Sequence, residues 1–348
     1  MILILKKWFH LIAIIALLVL VASILLATNH QNELDLQPHS FSLPTERLQL
    51  AQPKSVCEGS WDSTNNVWII ETQRRDSIAP IDQCTLESYA SKMPDVCIRL
   101  LHLDSKSSLE KIKSDLSRVL APNFQNIEIV QMDVEDLFKD TPVINLIPMI
   151  NSAHFKFVHM SDVARLAVIY KFGGIYSDAD VILRRKPDFG AKFYTQSGAS
   201  SLLINAAFAS PKHDHVIYQT LVSLNATYSP KGYTVMYEHE KVTKRHCISS
   251  CGTKKEFNQN KTSFMCCDLK IVASGEGQCG RNWPIEVSEK QNCTFYHYSR
   301  SYNCLHKERK IEYNFDLLSS KDDLAKVARE NCPLVVQTFR SFNITCNK

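Results

Sequence analysis

Residues 161–183, SDVARLAVIYKFGGIYSDADVIL, carry the reading on which the fold and the chemistry turn. Ser161 to Lys171 has helical spacing and opens on a serine suited to an N-cap. Gly173-Gly174 stops it. Ile175-Tyr176 and Val181-Ile182-Leu183 then read as short β segments on either side of Asp178-Ala179-Asp180. The pattern predicts a helix, a tight glycine turn, and two carboxylates offered at a strand end.

Paired carboxylates at a strand end suit a hard divalent cation. Oxygen ligands match Mg²⁺ or Mn²⁺, and two of them leave coordination positions open for a diphosphate and water. Such a cation offsets charge building on a departing phosphate. Asp162 and Arg165 stand three apart on one helical face and can both be turned toward the strand that follows. Taken singly, an Asp-x-Asp is also a solvated turn, and an Asp/Arg pair is also a surface ion pair of little energetic weight.

The flanking chain alternates strands and helices. Strands are expected at 67–72, 95–104, 127–132 and 202–208, and helices at 85–92, 108–120, 134–138 and 217–224. Alternation of this kind predicts a Rossmann-like, mostly parallel sheet flanked by helices, with ligands bound beyond the carboxyl ends of the strands. Glu71-Thr72, just past the first strand, border a nucleotide by that rule or merely finish the strand. Asn205 is the one polar side chain of the 202–208 run; it faces a donor sugar or bonds neighbouring backbone. His297, after Phe295-Tyr296, completes a metal shell, touches a diphosphate, or is structural.

The net charge of +4 is small for 348 residues, and no basic run is interleaved with aromatics, which argues against nucleic acid as a partner. Residues 8–27 are apolar enough to span a hydrocarbon core of about 30 Å with slight tilt, and Lys6 and Lys7 precede them. We read residues 1–7 as a cytoplasmic tail, 8–27 as a signal-anchor in preference to a cleaved leader, and 28–55 as a polar stem. Residues 56–348 then form a luminal domain, with a core at 67–224 and a cysteine-rich, acceptor-side segment at 247–304. The 12 cysteines fit an oxidising compartment, as do the acceptor tripeptides at Asn225, Asn260, Asn292 and Asn343. Cys84 with Cys97, and Cys332 with Cys346, are among the pairings that the spacing allows; spacing does not fix connectivity. Cys247, Cys251, Cys266 and Cys267 are read as disulfide partners in preference to a zinc site.

Ser-Asp-x-x-Arg, Lys-Phe-Gly-Gly, Ile-Tyr and Asp-x-Asp together resemble the signature of DXD-containing sugar-nucleotide transferases. With Ile-Ile-Glu-Thr at 69–72, Leu137–Pro142, Ile-Asn-Ala-Ala-Phe at 204–208 and His297, the chain is most similar to the alpha-1,4-galactosyltransferase and alpha-1,4-N-acetylglucosaminyltransferase family. That resemblance implies a glycosyltransferase-A fold and a single-pass type II Golgi membrane protein. It further implies transfer of galactose or an N-acetylhexosamine from a UDP-sugar to a galactose-type end of a glycolipid or glycan, forming an alpha-1,4 linkage with retention of configuration and with Mn²⁺ or Mg²⁺. It places Asp178 and Asp180 on the metal and diphosphate, Asp162 and Arg165 on the donor sugar, Thr72 near the uracil or ribose, and Tyr176, Asp178 and Asn205 in the donor site, with His297 as a further metal ligand. Ser177 stands where the family has an apolar residue, and Gly232 is not followed by proline. A catalytically inactive, sugar-nucleotide-binding or scaffold relative is the alternative reading.

Overall fold

Both faces of the first strand are buried, so the chain must cover a sheet from two sides. In the computed structural model β1 (Asn66–Glu71) sends Val67 and Ile69 into one apolar cluster and Trp68 and Ile70 into another, as expected for a central strand of a sheet with helices on both faces. The structure describes residues 56–58, 61, 65–72, 77–104, 109–196, 203–232, 234–252, 262–273, 276–280, 293–297, 313–318 and 323–344. These lie in one unit, Lys54–Lys348. The expected anchor and stem, Tyr298 to Arg300, Cys304 and Cys346 fall outside the described residues. Among the described residues no helix is long and apolar enough to cross a membrane.

After β1 come α1 (Pro80–Lys92), β2 (Cys97–His102), α2 (Glu110–Val119), β3 (Ile127–Gln131), α3 (Val134–Phe138) and α4 (Ile147–Ser152). The central stretch supplies α5 (Lys156–Phe172), β4 (Gly174–Ser177) and β5 (Val181–Leu183). Then follow β6 (Phe193–Gln196), β7 (Leu203–Ser210), α6 (His215–Thr227), α7 (Thr234–Cys251), β8 (Phe264–Cys266), β9 (Leu269–Val272), β10 (Gln278–Gly280), β11 (Phe295–His297), β12 (Tyr313–Asp316), α8 (Asp323–Asn331), α9 (Pro333–Phe339) and β13 (Ser341–Ile344).

The main sheet has eight strands in the order β3-β2-β1-β4-β7-β6-β9-β8. Its β3-β2-β1-β4 half is parallel, but β7 is antiparallel to both β4 and β6, and β8 is antiparallel to β9. β6 and β9 pair in parallel, so four of the seven pairings are parallel and the sheet is mixed, with antiparallel returns at β7 and β8 that the alternation of strands and helices does not predict. The βαβ rhythm ends after β4, and hairpin-like returns need no crossover helix. The cysteine-rich stretch contributes β8 and β9 to this sheet and β10 and β11 to a second one, ordered β10-β11-β5.

Two further expectations are corrected. Ser161 is not an N-cap, because α5 begins at Lys156 and Ser161 lies inside it. The cysteine pairs are Cys57–Cys97 and Cys84–Cys332 in place of Cys84–Cys97 and Cys332–Cys346. Chain closure brings residues 248 apart in sequence to one point, which spacing along the chain does not reveal. Cys247–Cys266, Cys251–Cys267 and Cys279–Cys293 are also disulfides.

The glycine pair is required sterically. Gly173 ends α5 with φ 71°, and a Cβ there would lie 2.7 Å from the Lys212 nitrogen. Gly174 has φ 99°, and a Cβ would collide with the Asn66 carbonyl. The indole of Trp68 donates to the Gly173 carbonyl at 3.0 Å, which locks the turn onto β1.

On the far side of β7, α7 presses His239 between Tyr194 and Phe208, with ring centroids 4.6 and 5.8 Å apart. The imidazole is 1% exposed, and neither nitrogen has a hydrogen-bond partner. Burial lowers its pKa from 6.5 to about 4. A base with a depressed folded pKa contributes stability that is whole above its unfolded value and is lost as pH falls through the window from 6.5 to about 4. The urea stability of the protein is therefore expected to drop by about 2 kcal/mol between about pH 7 and pH 5 from this residue, and His239→Phe should flatten that part of the profile; equal slopes in the two proteins would contradict the assignment.

Candidate active site

Arg165 is the junction of the site. Its guanidinium is buried at the β4–β7 seam and makes three hydrogen bonds and two ion pairs. Nε donates to the Ser161 carbonyl at 3.2 Å and Nη2 to Ser161 Oγ at 3.1 Å. Nη2 also reaches Asp162 Oδ1 at 2.9 Å. Nη1 bonds the Asn205 carbonyl at 2.9 Å and Asp178 Oδ1 at 3.2 Å. The Ser161 and Asp162 contacts follow from helix periodicity, since positions three and four back lie on the same face of α5. The cation lies 5.0 Å from the centroid of the Tyr176 ring, and the Tyr176 hydroxyl donates to Asp178 Oδ1 at 2.6 Å.

Burial works against the charge on Arg165, but Asp178, Tyr176, Asp162 and Asp180 outweigh it and hold the pKa above its ordinary value. The pKa values of Asp162 and Asp178 are raised as well, which for a carboxyl disfavours the charge. Desolvation raises the pKa of both Asp162 and Asp178, Arg165 pulls each down, and the neighbouring carboxylate pushes each back up.

The Asp178-Ala179-Asp180 turn is gripped from two sides. The Asp178 N–H bonds the Ala206 carbonyl at 2.8 Å, and the Val181 N–H closes the turn on the Asp178 carbonyl at 3.2 Å. From α1, Thr85 Oγ1 donates to the Ala179 carbonyl at 2.7 Å, while Ser88 Oγ accepts from the Leu183 N–H at 2.9 Å. Ala179 packs against the core beneath the turn, with the two aspartates on either side of it.

His297 arrives through strand register. β11 runs antiparallel to β5 with His297 opposite Val181, next to Asp180. Its Nε2 stands 3.3 Å from Asp180 Oδ1. Burial alone would lower its pKa, but the Asp180 carboxylate, with Asp178, raises it. One ligand atom from each of Asp178, Asp180 and His297 lies within 4.8 Å of the others. Two carboxylates and an imidazole form a mixed oxygen and nitrogen donor set that fits a divalent cation such as Mn²⁺. Two other groupings, Cys57/Cys97/Glu128 and His246/Cys251/Cys266, contain disulfide cysteines and offer no thiolate.

The structure brings Asp162, Arg165, Tyr176, Asp178, Asp180, Asn205 and His297 into one connected cluster. Asn205 enters it through its carbonyl; its side-chain Nδ2 is buried near the Asp162 carboxyl, whose pKa it helps lower, yet makes no well-formed hydrogen bond. Thr72 sits at the carboxyl end of β1, its hydroxyl donating to the Phe157 carbonyl at 3.1 Å in the first turn of α5. Sequence reasoning missed Thr85 and Ser88, whose only signal was their spacing of three on a helix, and also His159 and Tyr228. His159 Nδ1 and the Tyr228 hydroxyl are 2.7 Å apart and buried. Burial and then the Asp162 charge push the Tyr228 hydroxyl up to about 12, so the pair borders the cluster.

Residues 81–198 match a glycosyltransferase sugar-binding region containing a DXD motif. The chain is 31% identical to mouse lactosylceramide 4-alpha-galactosyltransferase over 162 residues, 45% of this chain and 41% of that one. It is 26% identical to the same protein of Gorilla gorilla gorilla over 180 residues, 50% and 54% of the two chains, and 27% identical to human alpha-1,4-N-acetylglucosaminyltransferase over 157 residues, 44% and 45%. The chain thus spans about half the length of the curated relatives it matches. Among solved structures, the PaToxG glycosyltransferase is similar at a TM-score of 0.43 and 16% identity, over 56% of this chain and 72% of that one. The galactosyltransferase LgtC in complex with donor and acceptor sugar analogs is similar at 0.37 and 12%, over 78% and 95%.

If Arg165 neutralises the cluster, Arg165→Met should cost about 3 to 5 kcal/mol in urea unfolding, because it strands two carboxylates that are largely shielded from water. A loss below about 1 kcal/mol, the range of an exposed ion pair, would contradict its central place.

Proposed function

We propose that the protein is a metal-dependent, retaining glycosyltransferase of glycosyltransferase-A type. It moves galactose or an N-acetylhexosamine from a UDP-sugar to a terminal galactose of a glycolipid or glycan, forming an alpha-1,4 linkage. One observation carries this reading: Asp178, Asp180 and His297 converge at the edge of the sheet, and Asp178 shares Arg165 with Asp162. The relatives named lactosylceramide 4-alpha-galactosyltransferase and alpha-1,4-N-acetylglucosaminyltransferase support the donor and acceptor classes. For the setting we propose a Golgi membrane, with residues 8–27 as anchor and the described residues luminal; the five disulfides favour an oxidising compartment.

Asp178, Asp180 and His297 would hold Mn²⁺ or Mg²⁺, which when bound supplies positive charge to the departing diphosphate. The chain's own residues do the rest. Arg165 favours the ionised form of Asp162 against its burial and pairs with it along α5, where the carboxylate can accept from donor-sugar hydroxyls. The unsatisfied Nδ2 of Asn205 is a donor held ready for a sugar oxygen, and an unpaired buried amide of this kind is tolerated where a ligand completes it. Tyr176, packed under Arg165, fixes the Asp178 carboxyl. Thr72 borders the nucleotide. Held beside the donor, the acceptor hydroxyl attacks the anomeric carbon from the side that UDP leaves, losing its proton as the sugar–phosphate bond breaks; fixed orientation supplies much of the acceleration.

The test is incubation of the full-length protein with a panel of UDP-sugars and lactose-terminated acceptors, with and without Mn²⁺, and identification of products by mass. A protein that binds UDP-sugars yet yields neither transfer nor hydrolysis would favour the inactive sugar-nucleotide-binding alternative. Asp180→Asn should lower turnover by about 100-fold or more with an unchanged melting temperature; undiminished turnover would exclude the metal assignment. Asn205→Leu is expected to leave stability equal or improved, since it removes an unsatisfied amide, while raising the donor KM about tenfold, the worth of one hydrogen bond. A stability loss with unaltered KM would make Asn205 structural.

A further inference from the structure

The outer face of α6 carries an acceptor tripeptide and an apolar stripe side by side. Val216, Ile217, Thr220, Leu221 and Leu224 face inward and are buried. Facing outward at spacings of four and three are Tyr218, Val222 and Asn225, and both Tyr218 and Val222 are 39% exposed. Asn225, Ala226 and Thr227 are all exposed in the last turn of the helix. Large apolar side chains clustered on an open helix face call for a cover.

We propose that Asn225 carries an N-linked glycan whose first sugars lie over Tyr218 and Val222. The motif Asn225-Ala226-Thr227 supplies the acceptor amide and hydroxyl, the helix leaves the asparagine accessible, and the disulfides point to the compartment in which such transfer occurs. Of the four tripeptides, Asn260 and Asn292 lie outside the described residues, and Asn343 sits in β13, paired opposite Asn314.

In the transfer, the Asn225 amide nitrogen forms a bond to the anomeric carbon of a lipid-diphosphate-linked oligosaccharide. The bond from that carbon to the diphosphate oxygen breaks, the lipid diphosphate leaves with the electron pair, and the amide's one lost proton passes to solvent water. In the folded helix the Thr227 hydroxyl donates back to the Ser223 carbonyl at 2.8 Å. It is turned along the helix and away from the amide it must assist, so the transfer precedes closure of the last turn of α6.

Full-length protein from animal cells, digested with peptide N-glycosidase in ¹⁸O-water and then mapped as peptides, should show Asn225 converted to ¹⁸O-labelled aspartate, and Asn225→Gln should lose one glycan's mass. An unlabelled Asn225 in recovered, disulfide-bonded protein overturns the modification. Removing glycans from the folded protein should raise the fluorescence of a hydrophobic dye at least twofold. That rise should disappear in a Tyr218→Ser, Val222→Ser variant and should already be present in Asn225→Gln. Unchanged dye fluorescence overturns the covering role even where Asn225 is modified.

Discussion

A single buried cation ties two acidic side chains together beside a third. Arg165 sits at the seam between α5, β4 and β7, hydrogen-bonded to Ser161 and to the Asn205 carbonyl and ion-paired with Asp162 and Asp178. Around it the formal charges do not cancel, since Asp162, Asp178 and Asp180 oppose one guanidinium and one imidazole. A cluster largely shielded from water and short of positive charge raises the pKa of its own carboxyls, as Asp162 and Asp178 record. Such an arrangement is costly for a scaffold and, under the proposed function, useful for a site, because a divalent cation would bring the missing charge.

The division of labour between the two aspartates follows from the same geometry. Asp178 Oδ1 already accepts from Tyr176 and faces Arg165, so it ties the ligand cluster to the helix. Asp180 faces the second sheet and meets His297. The ligand set therefore bridges two sheets, and its spacing depends on the β5–β11 pairing, which Cys279–Cys293 and β10 support from behind. The loss of any one of these supports would move the imidazole without touching the aspartates.

Much of this was legible along the chain, and what was legible was local. The glycine pair marks the end of α5 because only glycine fits against Lys212 and Asn66; the apolar runs give β1, β2 and β7; and the spacing of Asp162 and Arg165 gives a shared face. What stayed hidden was fixed by distant partners. The antiparallel pairings of β7 with β4 and β6, the meeting of His297 with Asp180, and the pairing of Cys84 with Cys332 are set by long-range closure. Neither residue types nor periodicity carries that information. The start of α5 was misplaced for a related reason. Ser161 looks like a cap, yet its hydroxyl is taken by Arg165, and the helix runs on to Lys156 without any side-chain cap.

One helix links the acidic turn to a remote part of the chain. Within five residues of α1, Thr85 and Ser88 hold the turn, Cys84 is bonded to Cys332, and the Glu87 carboxylate accepts from the N–H groups of Leu334 and Val335 at 2.9 and 2.8 Å. Contacts spanning so much sequence form late in folding. During synthesis, residues 161–183 emerge from the ribosome well before the segment that steadies their support. A nascent chain would thus expose the aspartates while α1 is still unclamped, and the acidic turn would gain its full support only once residues 332–335 had docked, a built-in delay between making the motif and steadying it.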